Sequence, residues 1–237
     1  MSMFQKTIGI LGGMGPVASA DTYVELTRLC QRKWQARQDR DYPRMFLYSL
    51  PLEDFDHTGF TTDKEQQDSI VQQLVSGLKT LEAAGSDLII IDCNTVHYFF
   101  DRLQREIDVP IINLIEVTIA YILEKRYHTV GVLCSQTSKD ISLYTHPLRE
   151  AGVKVLDILE EDQADVNEAI LAVMSGHIAF PHIAKVDALI DDLSVRGAEC
   201  VILGCTEISN LAKQLNHHAV LVDSETLAIE RALHWAR

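Results

Sequence analysis

Two stretches of this chain, 112 residues apart, run through one frame. The first is Gly85-Ser-Asp-Leu-Ile-Ile-Ile-Asp-Cys93-Asn-Thr, and the second is Gly197-Ala-Glu-Cys-Val-Ile-Leu-Gly-Cys205-Thr-Glu. Each cysteine stands eight residues after a glycine, closes an apolar run and has threonine close behind it. A short apolar run bounded by turn residues reads as a buried strand. A cysteine at its end puts a thiol at the carboxyl edge of a sheet, where open α/β sheets keep their ligands. Two more pairs keep the same order: Lys6-Thr-Ile-Gly-Ile-Leu with His128-Thr-Val-Gly-Val-Leu, and Pro110-Ile-Ile-Asn with Val220-Leu-Val-Asp. Together they predict an internal duplication of an α/β unit.

The rest of the chain fits that reading. Strands are expected at 6–11, 44–50, 87–93, 109–112, 129–134, 153–157, 199–204 and 219–222. Helices are expected at 16–37, 63–84, 95–107, 115–126, 138–150, 162–176, 182–196 and 224–236, with a further one beginning at Thr206. Short apolar strands alternating with helices predict an α/β fold with parallel sheets covered on both faces. The polar stretch Pro51–Phe60 follows a strand and is a candidate functional loop.

Composition narrows the function. The chain has 237 residues, 47% of them hydrophobic, enough for one large or two small domains with a real core. A net charge of −13 with no basic run argues against a nucleic-acid partner. No apolar run approaches the length of a membrane span, and the N-terminus reads as a first strand and its turn rather than a signal peptide. Five cysteines in a chain of this kind point to free thiols in a reducing cytoplasm. No His/Cys/carboxylate group has metal-ligand spacing, so no metal is expected.

Gly9-Ile-Leu-Gly-Gly-Met14-Gly-Pro16 turns from strand to helix. Such a turn lets backbone approach a ligand, and a small carboxylate suits it. From Gly13 it also reads Gly-x-Gly-x-x-Ala, a dinucleotide pattern. Against that, Pro16 lacks an N–H, and the second strand ends in Tyr48-Ser49-Leu50 with no acid for a ribose. The bland alternative is a tight turn without a ligand.

Cys93 and Cys205 are the candidate catalytic pair. Asn94, Thr95 and Thr206 would start helices beside each sulfur, favouring a thiolate and offering donors to a substrate carboxylate. Buried strand-end hydrophobes are the alternative reading, and the one that suits Cys30, Cys134 and Cys200. Glu207 is placed either to orient the thiol or a substrate ammonium, or simply as a first-turn carboxylate. His97 reads as a helix-packing residue, and strand alternation points Asp92 away from the thiol. Two facing thiols can remove a proton from one side of a carbon and return one to the other, which is racemase or epimerase chemistry.

These residues resemble the aspartate/glutamate racemase family, nearest its aspartate racemase branch. The resemblance rests on Gly9-Ile-Leu-Gly-Gly-Met-Gly-Pro16, Cys93-Asn-Thr-Val-His97 and Gly204-Cys-Thr-Glu-Ile208, in order over nearly the whole chain. Glutamate racemases usually carry Cys-Thr-His at the second site; Cys-Thr-Glu points to the aspartate type. The resemblance implies two similar parallel-sheet α/β domains related by pseudo-twofold symmetry, with the active site in the cleft between them. It implies no cofactor, pyridoxal included, and a homodimer. It implies a discontinuous first domain, 1–113 plus 215–237, around a second at 114–214. Met14, Asp56, His57, Thr58, Asn94, Thr95, Val96, Thr206 and Glu207 are then the expected substrate contacts.

Two departures bear on substrate. Aspartate racemases have Asp-Arg-Thr after the second strand, where this chain has Asp56-His57-Thr58, and Ala179 stands where the family has a lysine. Two cations that would grip a dicarboxylate are missing, and a bidentate guanidinium is hard to replace. His57 and His177 are the nearest substitutes. The expected activity is therefore cofactor-independent racemisation of aspartate or of a broader set of amino acids. The rivals are a related cofactor-free isomerase or decarboxylase, a non-catalytic amino-acid-binding protein and a nucleotide-dependent enzyme.

Overall fold

The computed structural model describes residues 3–56, 59–215 and 218–237. Contacts divide the chain into two units: Met1–Phe55, Thr61–Leu114 and Glu225–Arg237 form the first, and Asp56–Phe60 and Ile115–Ser224 the second.

In chain order the elements are β1 (Thr7–Gly12), α1 (Pro16–Trp34), β2 (Arg44–Ser49), α2 (Lys64–Ala83), β3 (Leu88–Ile91), α3 (Phe100–Gln104), β4 (Ile111–Ile112) and α4 (Leu114–Lys125). They continue with β5 (Thr129–Leu133), α5 (Gln136–Asp140), α6 (Thr145–Glu150), β6 (Lys154–Asp157), α7 (Gln163–Ser175), α8 (Phe180–Val195), β7 (Cys200–Leu203), α9 (Thr206–Ala212), β8 (Leu221–Asp223) and α10 (Ser224–Ala236). Each unit holds a four-stranded parallel sheet, ordered β2-β1-β3-β4 in the first and β6-β5-β7-β8 in the second. The two orders are the same. The three matched sequence pairs fall on β1/β5, β3/β7 and β4/β8, so the duplication is one of topology as well as of sequence.

The central strands are apolar on both faces because helices cover both. β1, β3 and β7 are buried at every residue. Helix periodicity supplies the cover. α2 buries Ile70, Val71, Leu74, Leu78 and Leu81, and α8 buries Val186, Leu189, Ile190 and Leu193, each at the three-to-four spacing of one face. The core of the second unit gathers α7, α8, β7 and α9 around Val166, Ile170, Leu203, Ile208 and Leu211, with Cys205 among them. Edge strand β2 is half-exposed. Among the described residues no helix is long and apolar enough to cross a membrane.

Three expectations need correction. The helix expected over 138–150 is two helices, α5 and α6. Ser142 turns the chain with φ +52°, and a helix running through would drive the Pro147 ring into the Leu143 carbonyl. The break lets Tyr144 bury almost completely, at 1% exposure. The last strand does not return to the first unit: β8 lies beside β7, with Leu203 opposite Asp223, and pairs that strand's otherwise open edge. Only from Glu225 onward does the chain rejoin the first unit. Asp56, expected in the first domain, groups with the second, its carbonyl accepting from Thr137 Oγ1 at 2.9 Å.

The β1–α1 turn has strict backbone requirements. Gly13 sits at φ +97°, and a Cβ there would run into the backbone of Leu50. Gly13→Ala is therefore expected to lower unfolding free energy by roughly 2–4 kcal/mol, from overpacking plus left-handed strain. Urea denaturation of the variant checks this.

Candidate active site

Both cysteine frames end as a parallel strand gives way to a helical turn. β3 ends at Ile91, and Cys93 leads into a 3-10 turn, Thr95–Phe99. β7 ends at Leu203, and Cys205 is the N-cap of α9 in extended conformation. Each thiol thus lies at the carboxyl edge of its own sheet, and both residues are buried, at 4% and 6% exposure.

The residue four places on anchors each cysteine. His97 Nδ1 lies 2.8 Å from the Cys93 carbonyl oxygen, and its Nε2 lies 3.3 Å from the carbonyl of Ile112 on β4. In the second unit Ser209 Oγ reaches the Cys205 carbonyl at 3.2 Å and Asp223 Oδ1 on β8 at 2.9 Å. His97 and Ser209 hold the same place 112 residues apart, each tying a cysteine to the neighbouring strand. His97 is structural, as its position in the sequence suggests. Burial holds its pKa below the ordinary histidine value, while the carbonyls of Cys93 and Ile112 favour the protonated ring. Ser209 was not among the sequence candidates, although carrying the cysteine frame one helical turn further finds it.

The surroundings of the sulfurs differ. The Cys205 thiol donates to Glu207 Oε2 at 3.2 Å, and the same oxygen accepts from Thr206 Oγ1 at 3.0 Å. Glu207 and Thr206 are both 2% exposed. Burial, then the Glu207 carboxylate, push the Cys205 thiol well above its usual range, while backbone N–H groups of Ile208 and Glu207 pull weakly the other way. This corrects the expected lowering toward a thiolate at that residue. The donors at the start of α9 are real, but desolvation and a neighbouring anion outweigh them. After Cys93 the matched residues are Asn94, Thr95 and Val96, all buried and none charged.

Other candidates divide. Met14 is buried in the turn after β1. That turn adjoins the Cys93 strand, since Leu11 pairs with Ile91 and the Asp92 N–H donates to the Leu11 carbonyl at 2.9 Å. Its glycines serve the fold: the Gly13 N–H donates to Ser19 Oγ at 2.9 Å, and Ser19 Oγ donates to the Gly15 carbonyl at 2.9 Å. Asp56 is exposed and contributes its main chain to α5. His57 and Thr58 lie outside the described residues. His177 and Ala179 are exposed in the α7–α8 connection, where His177 lines a surface pocket of about 500 Å³ with Glu168, Leu171 and His182.

All five cysteines are free. Burial raises the thiols of Cys30 to about 11 and of Cys134 and Cys200 to about 12, so these three are inert core residues. Among the described residues no three His, Cys, Asp or Glu side chains are grouped to hold a metal ion.

Comparison with known proteins points one way. The model of a family described as Asp/Glu/hydantoin racemase matches residues 11–232. The broad specificity amino-acid racemase RacX of Bacillus subtilis (strain 168) is 28% identical over 218 residues, 92% of each chain. An aspartate racemase homologue from Pyrococcus horikoshii OT3 superposes with a TM-score of 0.79 at 27% identity, over 98% of this chain and 99% of that one. The aspartate racemase of Picrophilus torridus shares the fold with a TM-score of 0.79 at 24% identity, covering 97% and 94% of the two chains.

A buried His97 with a lowered pKa has a pH signature. The unfolded chain takes up a proton below about pH 6.5 that the folded chain refuses, so stability falls as pH drops through that value. From pH 7.5 to 5.5 the protein should lose more stability than His97→Gln, which lacks the group. Paired denaturant melts measure the difference, and equal losses would mean that the ring titrates alike in the folded and unfolded chains.

Proposed function

We propose that this chain, which belongs to the Asp/Glu/hydantoin racemase family, is an amino-acid racemase that uses two cysteines as acid and base without a cofactor. The observation that carries the reading is the matched pair of thiols, each at the carboxyl edge of one of two sheets with the same strand order.

The chemistry follows from what two thiols can do. One cysteine, as thiolate, takes the proton from Cα: an S–H bond forms, and the C–H electron pair passes into Cα and its carboxylate. The other, as thiol, gives its proton to the opposite face of Cα and is left a thiolate. The other enantiomer is processed with the roles exchanged. Charge developing on the substrate carboxylate needs preorganised donors. Asn94 and Thr95, buried beside Cys93, are the side chains proposed to supply them, with Thr206 contributing once its hydroxyl turns from Glu207 to the substrate.

For the substrate we propose a set of amino acids broader than aspartate alone. His57 replaces the family arginine and Ala179 the family lysine, so two fixed cations for a second carboxylate are missing. The broad specificity of the Bacillus subtilis relative is in keeping with this.

Proton NMR in heavy water tests the reading. The protein, incubated with single L-amino acids, should place deuterium at Cα while the D-isomer grows. Cys93→Ser and Cys205→Ser should each slow this by at least about 100-fold, the scale of a lost general acid or base. Exchange confined to aspartate would overturn the broad substrate set. Absence of exchange with every amino acid would favour the binding-protein, isomerase or decarboxylase readings.

A further inference from the structure

The two cysteine frames part company at one place. Two residues after Cys93 stands Thr95, and two residues after Cys205 stands Glu207. The Glu207 carboxylate is 98% buried and its Oε2 takes two donors, the Cys205 thiol at 3.2 Å and Thr206 Oγ1 at 3.0 Å. A thiolate at Cys205 would lose that donor and leave two anions in contact within an apolar cluster that includes Leu133, Ile208 and Leu211.

Of the charged groups on neighbouring elements of the same unit, Lys139 on α5 acts on the Cys134 thiol and is held by Glu160 Oε2 at 2.7 Å. Asp223 on β8 is a further carboxylate, held by Ser209 at 2.9 Å. Cys134 after β5 and Tyr144 before α6 are both pushed up by burial and stay neutral. On α9 itself, Lys213 is exposed and reaches Asn210 Oδ1 at 3.4 Å. Backbone N–H groups of Glu207 and Ile208 are the opposing influence on the sulfur.

We propose that Glu207 is a positioning residue that holds Cys205 in its thiol form, so that the two directions of racemisation start from unequally populated resting states. The inference rests on the two-cysteine reading above. In the favoured resting form Cys205 carries the proton and Cys93 is the base. Turnover of one enantiomer moves the Cα proton to Cys93 and the Cys205 proton to Cα. The protein is then left with a Cys205 thiolate beside the Glu207 carboxylate. The other enantiomer needs this less populated form. The free energies of the two enantiomers are equal, so kcat/KM must match in the two directions. Unequal resting forms then appear as kcat and KM that differ between enantiomers in the same ratio.

The test is an ultraviolet thiolate titration of the full chain, with Cys205→Ser subtracted to isolate the one sulfur. Glu207→Gln keeps the shape and removes the charge. Its Cys205 midpoint should fall by about one pH unit or more, as expected when a contacting anion is lost. Glu207→Thr installs the residue type found after Cys93 and should shift the midpoint the same way, which keeps the idea testable if the glutamine variant does not fold. An unmoved midpoint in either folded variant overturns the proposal. On the activity side, both variants should bring the KM values of the two enantiomers together, a convergence that loss of packing alone would not produce. The titration reads the thiol whether or not any amino acid is racemised. Failure of the racemase reading shows instead as absent deuterium exchange in the unaltered protein, and exchange with an unmoved midpoint sinks the role of Glu207 alone.

Discussion

How a fully buried parallel strand ends governs the candidate site. β3 and β7 lie at the centre of their sheets, with every residue buried. Where such a strand stops, its last carbonyls lose the ladder and still need donors, since an unpaired buried carbonyl costs about 1–3 kcal/mol. The chain meets that need twice in one way: it turns helical at once, and the side chain four residues on bonds the cysteine carbonyl. An imidazole does this in the first unit and a hydroxyl in the second. Different chemistry at the same place indicates that geometry is what the position requires. Each anchor also reaches the next strand, at Ile112 or Asp223, which fixes the height of the cysteine against two strands.

That constraint explains why so much of the fold is legible in the sequence. All eight strands fall where apolar runs place them, and β1, β3 and β7 stand out most because strands buried on both faces leave no room for polar residues. The long helices follow from their apolar spacing. What fails is decided by contacts far apart in sequence. Pro147 and Ser142 break a helix that periodicity alone joins, and the gain is a buried Tyr144 lying against Gly204, where an added Cβ would come within 2.7 Å of the ring. The side on which β8 pairs depends on which strand edge is open, and a three-residue run of Leu-Val-Asp does not carry that information.

For the candidate site, the matched frames single out Cys93 and Cys205 as strand-end thiols, and the polar residues after each are buried. The glycine turn after β1 admits two readings because glycine answers two needs. It can open backbone to a ligand, or it can let the chain pass close to itself. Here the second use is visible: Ser19 takes the Gly13 N–H, and Leu50 leaves no space for a side chain. Nor is the state of the Cys205 thiol readable from its helix N-terminus. Donors beside a sulfur favour a thiolate only while solvent or cations balance burial, and here the nearest charge is a carboxylate.

A raised thiol is no obstacle to two-base chemistry and suits half of it. Transfer of a proton through Cα needs one sulfur with a proton and one without. Two identical thiols would share that single charge equally, and half of the molecules would meet any given enantiomer in the wrong form. A difference of one pKa unit between them is about 1.4 kcal/mol, enough to put roughly nine molecules in ten into one form. One buried carboxylate at a single position of a duplicated frame is the smallest change that creates such a difference. It leaves the strands, the anchors and the thiols in place, because Glu207 occupies a first-turn position of α9 and its side-chain end meets the sulfur and Thr206. Fold symmetry is thus compatible with the proposed functional asymmetry: the first resides in the backbone and its strand-end anchors, and the second would reside in one side-chain charge.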